Sequence, residues 1–103
     1  MSDLIKLQDR AMEIRRRYDE LEKKRDGKPW DGLQLATGFK KDVADLIELL
    51  EAKNVDQKKL NHELADCLWS VLVIARKLDV DLERAFWTTM LELDARIDGE
   101  LKK

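Results

Sequence analysis

The chain has 103 residues, of which 41% are charged and 44% are apolar, with 20 basic against 22 acidic side chains. A chain of this length is expected to form one domain, so we assign residues 1–103 to a single unit. A net charge of −2 excludes the basic face that binding to a nucleic-acid polymer requires. Cys67 is the only cysteine, which excludes an internal disulfide and fits a reducing compartment.

No part of the sequence has the pattern of a targeting or membrane-spanning segment. The first residues, Met-Ser-Asp, lack the basic and then apolar run of a signal peptide. The longest apolar stretch is too short to cross a bilayer. We therefore expect a cytoplasmic protein that does not bind membranes.

Four helices are predicted, and no strand-like alternation competes with them. The first runs from about Asp3 to Arg25. It carries an apolar seam that we expect to face inward, formed by Leu4, Leu7, Ala11, Ile14, Tyr18 and Leu21. A turn-rich break follows at residues 26–32, and it contains Trp30.

The remaining three helices have recognisable ends. The second is expected to end near Lys53, capped by Asn54, and its buried face carries Phe39, Val43, Leu46, Ile47 and Leu50. Asp56 is the predicted N-cap of the third helix, which runs to about Leu78. Asp81 is the predicted N-cap of the fourth, whose inward residues are Leu82, Phe86, Leu93 and Ile97.

The third predicted helix is apolar almost all the way round between Leu64 and Ala75. A helix without a solvent face must be covered on every side. Three partner helices from so short a chain would leave part of it uncovered, so we expect a homo-oligomer, either a dimer or a tetramer. The alternative is a compact monomeric bundle with this helix at its centre.

Two pairs of acidic residues interrupt the apolar faces of the second and third helices. Within each pair the residues are three apart and point to the same side, and the pairs are Asp42 with Asp45 and Glu63 with Asp66. Carboxylates brought face to face repel by about 4 kcal/mol per close pair at an effective dielectric near 20, unless a cation lies between them. The alternative is pairing with nearby lysines, which are Lys40, Lys41, Lys58 and Lys59. On the same helical wheel, Glu48 is expected to point toward solvent.

The chemistry of such a cluster is well defined if the four carboxylates converge. Carboxylate oxygens and waters are the ligands that Mg²⁺ prefers, usually together with substrate phosphates. Bound metal would neutralise phosphate charge and activate a water for attack on a nucleoside triphosphate. A diiron site is excluded because it needs Glu-x-x-His, whereas His62 precedes Glu63. Spacing alone leaves both the metal site and the solvated pairs open.

Three stretches of the chain together resemble the MazG-like branch of the all-α nucleoside triphosphate pyrophosphohydrolases. They are residues 38–46, 62–72 and 81–86, and the most specific part is Glu-Leu-Ala-Asp-Cys-Leu-Trp at 63–69. The family pattern is Glu-x-x-Glu, a spacer and then Glu-x-x-Asp, which binds Mg²⁺. Asp42 and Asp45 stand at the first pair's positions, and Glu63 and Asp66 match the second.

The resemblance implies an oligomeric, cytoplasmic enzyme that hydrolyses (deoxy)nucleoside triphosphates to monophosphate and pyrophosphate, clearing non-standard nucleotides. It implies Mg²⁺, with Mn²⁺ as a possible substitute, held by the four acidic residues, and Glu63 and Asp66 as catalytic residues. Two departures matter. Aspartate shortens each arm of the first pair by one methylene, and Thr89 and Leu93 replace a lysine and an asparagine that reach substrate phosphates in many relatives. The alternative is therefore a weak or inactive helical module that binds a nucleotide or a protein.

Three further residues are candidates for substrate binding. Trp30 is the best candidate for stacking on a base. Lys41 could replace the missing lysine, although lysines before Asp42 also fit a solvated face. His62 could touch substrate, or it could simply lie at the surface as a capping residue. Cys67, inside the apolar run, is predicted to be a small core residue.

Overall fold

The computed structural model describes residues 2–103, whose regular secondary structure consists of four α-helices. They are α1 (Asp3–Asp26), α2 (Gly32–Glu51), α3 (Gln57–Lys77) and α4 (Leu82–Leu101). The all-α prediction is confirmed, and the predicted limits of the helices lie close to the observed ones. Met1, the first residue of the predicted domain, lies outside the described residues.

Each helix begins at a side chain that caps its first turn. The caps, which accept hydrogen bonds from backbone N–H groups, are Ser2, Asp31, Asp56 and Asp81. Asp31 also forms a reciprocal capping box with Gln34. The predictions for Asp56 and Asp81 are confirmed. The prediction of Asn54 as the cap of α2 is wrong, because α2 ends at Glu51 and Ala52 is its C-cap.

The turn between α3 and α4 is a Schellman motif. Asp79 adopts the left-handed conformation with φ of 57°, and its N–H donates to the carbonyl of Arg76 at 3.3 Å. The N–H of Val80 donates to the carbonyl of Ala75 at 2.8 Å. Aspartate tolerates this conformation better than most residues because its short polar side chain can hydrogen-bond locally. The direction in which α4 leaves α3 is therefore set by backbone hydrogen bonds.

The core lies where α3 packs against α2 and, less extensively, against α1. The buried apolar side chains come from these three helices and are Ala11, Leu35, Leu72, Val73 and Ala75. On α2, however, Ile47 and Leu50 are exposed although both were predicted on the buried face. The face of α2 that α3 covers is thus narrower than the apolar face of the sequence.

The buried stripe of α1 is not the predicted seam. Its buried residues are Gln8, Ala11, Arg15 and Glu22. Of the predicted seam only Ala11 is buried, and the inward placement is wrong for Leu7, Tyr18 and Leu21, which are exposed. The buried stripe is displaced by about one residue from the predicted seam, and it carries the charged pair Arg15 and Glu22.

The fourth helix buries no residue. Phe86, Leu93 and Ile97 were predicted to face inward but are exposed, and only Leu82 is half-buried. The chain extends over 57 × 39 × 26 Å with a radius of gyration of 16.8 Å, whereas a compact domain of this size has about 13 Å. The chain is therefore less compact than a globular bundle of the same length. None of the helices within residues 2–103 combines the length and the apolar character needed to span a membrane.

Candidate active site

One side of α2 lines two clefts that lie end to end. The positions on this side follow each other at steps of three or four residues and are Gln34, Gly38, Lys41, Asp45, Glu48 and Ala52. The first cleft, of about 510 Å³, is lined by Trp30, Leu33, Gln34, Thr37, Gly38 and Lys41. The second, of about 320 Å³, is lined by Asp45, Glu48, Leu49, Ala52, Lys59 and Glu63. With a rise of 1.5 Å per residue, Gly38 and Asp45 lie about 10 Å apart along the helix.

The predicted acidic residues lie on the facing sides of α2 and α3. The buried Ser70 hydroxyl on α3 donates to Asp42 Oδ2 on α2 at 2.9 Å. Asp45 and Glu63 line the same cleft from opposite helices. These contacts place Asp42, Asp45 and Glu63 along the surface between α2 and α3.

The only cysteine reports on the same surface. Burial raises the pKa of the Cys67 thiol, and the negative charges of Asp42, Glu63 and Asp66 raise it further. Three of the four carboxylates therefore lie within electrostatic range of the Cys67 thiol. Cys67 is half-buried, so it is less of a core residue than predicted and borders the acidic surface instead.

Two of the acidic residues have basic partners. Lys41 Nζ lies 3.6 Å from Asp45 Oδ2, and His62 Nε2 lies 3.1 Å from Asp66 Oδ2. Both basic side chains are largely in solvent, at 80% and 71% exposure. Across residues 2–103, no group of three or more histidine, cysteine, aspartate or glutamate side chains is arranged to hold a metal ion. The assignment of four metal ligands stays a prediction.

Trp30 lines the first cleft and is held from several sides. Its backbone N–H donates to Glu22 Oε1 at 3.1 Å. Its ring packs closely on α2, since a Cβ atom added at Gly38 would lie 3.3 Å from Trp30 Cζ3. A larger residue than glycine would therefore push the ring away from the helix.

Only two of the three predicted substrate-binding residues share a cleft. Trp30 and Lys41 line the first one, and Lys41 also reaches Asp45, which lines the second. His62 lies on α3 and contacts Asp66. The sequence did not identify Ser70, whose hydroxyl contacts Asp42, as part of the site. It also did not identify Glu48, which is exposed as predicted but lines the second cleft. The three- and four-residue steps from Gln34 to Ala52 were the signal that could have found Glu48.

The chain was also compared with known protein families. Residues 34–98 match the model of the MazG nucleotide pyrophosphohydrolase domain, a range that contains both acidic pairs, Lys41 and His62 but begins after Trp30. Searches of curated proteins and of solved structures gave no match. Because the matched range covers more than half of the 103 residues, the chain belongs to the MazG nucleotide pyrophosphohydrolase family.

Proposed function

We propose that the protein hydrolyses nucleoside or deoxynucleoside triphosphates, non-standard ones among them, to the monophosphate and pyrophosphate with Mg²⁺ as cofactor. The observation that carries this proposal is the order of groups along α2. An aromatic ring lies at one end, Lys41 in the middle and the carboxylates at the other end. A nucleotide has the same order of base, phosphates and bound cation. Membership of the MazG family supports this reaction.

The chemistry of the donors suits Mg²⁺, because all four predicted ligands are carboxylates. The described side chains are not yet gathered around one position, so metal binding would require them to move together. Asp42, Asp45, Glu63 and Asp66 would hold the ion, and Mn²⁺ would be accepted by the same oxygens. When bound, the metal supplies positive charge that offsets the charge of the phosphates. The ion pairs of Asp45 and Asp66 are largely exposed, and such pairs contribute only about 0–1 kcal/mol. Pairs this weak would not prevent Asp45 and Asp66 from binding a divalent cation.

The chain's own residues divide the work along the groove. Trp30 offers its ring to the base, while Lys41 and His62 contact the phosphates. Water attacks the α-phosphorus, the bond to the bridging oxygen breaks, and pyrophosphate leaves. The proton of the water passes to a carboxylate of the Glu63 and Asp66 pair, which we propose as the catalytic residues.

A second candidate function is a helical module that binds nucleotide or protein without turnover. Two observations favour it. Lysine and histidine already partner Asp45 and Asp66, and Thr89 and Leu93 replace the phosphate-binding lysine and asparagine of many relatives.

Pyrophosphate release separates the two functions. The protein is incubated with Mg²⁺ or Mn²⁺ and a panel of standard and non-standard triphosphates, beside a Glu63→Gln variant. Glu92→Gln, an exposed glutamate of α4, is the matched control. We expect turnover in the wild type and the control but not in Glu63→Gln. If no nucleotide yields pyrophosphate, or if Glu63→Gln is unimpaired, the enzymatic function is wrong. Nucleotide binding without turnover would support the module.

We further propose that a second copy of the chain covers the apolar face shared by α3 and α4. Exposed residues of this face come from both helices and include Leu64, Leu68, Phe86, Met90 and Ile97. Two of them, Leu68 and Phe86, also line an apolar groove of about 400 Å³, whose other lining residues are Leu4, Val71, Leu82, Glu83 and Trp87. Exposed contiguous apolar surface of this kind marks an interaction site. The apolar sequence of α3 supports the same conclusion.

Sedimentation at several concentrations tests this association. We expect Phe86→Ser to shift the protein toward the monomer. Leu33→Ser, at an exposed leucine of α2, should leave the association state unchanged. A wild type that remains monomeric at all concentrations would contradict the proposed assembly.

A further inference from the structure

A charged network on α1 is buried inside the protein. Arg15 and Glu22 are 4% and 2% exposed. The Arg15 Nη2 group donates to Glu22 Oε2, and its Nε group donates to Asp19 Oδ1 at 3.0 Å. The three residues share one side of the helix because they are spaced by four and three positions. Within residues 2–103, no buried side-chain nitrogen or oxygen lacks a hydrogen-bond partner.

The network reaches the loop that carries Trp30. The second oxygen of Glu22 accepts the backbone N–H of Trp30 at 3.1 Å. The Arg15 guanidinium carbon lies 5.8 Å from the centroid of the Trp30 ring. It lies at similar distances from two other rings, 5.7 Å from Tyr18 and 5.9 Å from Trp69. Charge and ring attract at this range. Trp30 is therefore held by its backbone, by Arg15 and by the close approach of α2 at Gly38.

Stability alone does not account for this arrangement. Burying an ion pair removes two charges from water, and apolar replacements of similar size are often equally stable. What the pair supplies is a fixed geometry, since both members of the pair and the Trp30 N–H are joined by directed hydrogen bonds. The segment so fixed is a turn-rich connection that would otherwise have considerable freedom.

We propose that Arg15 and Glu22 are positioning residues that hold the Trp30 ring in place for the base of the substrate. The inference rests on the proposed function, in which Trp30 stacks on the base. A ring already held in its binding orientation loses little freedom when the base arrives, so binding is stronger. Neither residue touches the reacting phosphates. The network therefore acts on substrate binding through Trp30 and leaves the chemical step unchanged.

The test replaces the pair by apolar residues of similar size in Arg15→Met/Glu22→Leu. Because a base stacked on an aromatic ring contributes substantially to affinity, we expect KM for the best substrate of the panel to rise about tenfold with kcat unchanged. Glu22→Gln keeps an oxygen for the Trp30 N–H, and it should raise KM less. If the double variant fails to fold, the KM of Glu22→Gln alone tests the positioning role. The matched control is Arg10→Met/Glu13→Leu, which removes the exposed pair of the same helix and should leave KM unchanged.

A second comparison separates positioning from a merely structural role. In a Trp30→Ala background, the same changes at Arg15 and Glu22 should have no further effect on KM, because the residue through which they act is absent. The positioning role would be overturned, while the proposed function stands, by either of two results. One is an unchanged KM in the folded variants, and the other is a rise in KM in the Trp30→Ala background as large as in the wild type. A wild type that neither hydrolyses the triphosphates nor binds their α,β-imido analogues would overturn the proposed function, and the positioning role with it.

Discussion

The helices α2, α3 and α4 have nearly the same length, and each carries apolar side chains. They differ in how much of that apolar surface the chain itself buries. The α2–α3 pair forms the core and holds the acidic surface, whereas α4 buries no residue. An amphipathic pattern indicates that a face will be covered, because exposed apolar surface is unfavourable. It does not indicate whether the cover comes from the same chain. In this protein α3 packs against helices of the same chain, whereas the apolar side chains of α4, the next helix, are exposed.

The largest expected contrast lies between two leucines, Leu72 of α3 and Leu91 of α4, which are 4% and 72% exposed. We expect Leu72→Ala to lower the free energy of unfolding by about 2–5 kcal/mol, because it leaves a cavity in the core. Leu91→Ala should change it by no more than about 0.5 kcal/mol, as is usual for surface positions. Urea unfolding of the dilute protein measures both values. Equal losses would show that α4 packs into the core in solution.

A smaller effect is expected at the N-caps of the same two helices. Loss of a capping aspartate costs about 1 kcal/mol. In Asp56→Ala this loss should reduce amide protection throughout α1, α2 and α3, because α3 is at the centre of the core. In Asp81→Ala it should be confined to α4. Hydrogen exchange measures the difference in amide protection. The control is Asp94→Ala, which replaces an aspartate inside α4 that caps no helix. Reduced protection across the whole chain in Asp81→Ala would mean that α4 unfolds together with the core.

The smallest expected effect concerns the titration of Cys67. Glu63→Gln removes a negative charge that disfavours the thiolate, so the pKa of Cys67 should fall toward its ordinary value. The pH dependence of alkylation by iodoacetamide, measured with EDTA present, reports this change. Glu92→Gln on α4 should leave the profile unchanged. An unaltered profile in Glu63→Gln would show that the carboxylates do not face the thiol.

The same pKa shift has a consequence for stability. In the folded protein the pKa of Cys67 is raised, so the unfolded chain releases its proton first as the pH rises. Below the ordinary pKa of a thiol both states are protonated, and the group has no effect. Above it, the folded state loses stability with increasing pH. Cys67→Ser should weaken this alkaline loss, which thermal unfolding across that pH range would measure.

The sequence predicted those features that depend on local chemistry. Asp56 and Asp81 were identifiable as caps because a short acidic side chain before an amphipathic run satisfies free N–H groups. Angular position on helices that had to pack together also indicated that Asp45 and Glu63 would face each other, and both line one cleft. Family membership also followed from local residues, since the Glu-x-x-Asp step lies in a distinctive apolar context.

The features that the sequence did not predict depend on partners distant in the chain. Periodicity counts apolar residues, so it assigned Leu7 and Leu21 to the core and gave no weight to Arg15 and Glu22. That charged pair is buried because Trp30, Tyr18 and Trp69 come together around it. For α4, the sequence pattern does not distinguish an apolar face that is buried within the chain from one that only another molecule could cover.

The Schellman turn at Asp79 helps to set the direction of α4 within the folded chain. Its two backbone hydrogen bonds fix the angle at which the helix leaves the core, so the apolar face is presented in one direction before any partner arrives. The conformational entropy lost in ordering α4 is then part of the free energy of folding and does not weaken the proposed association. The second copy proposed above would then dock against a helix that is already ordered.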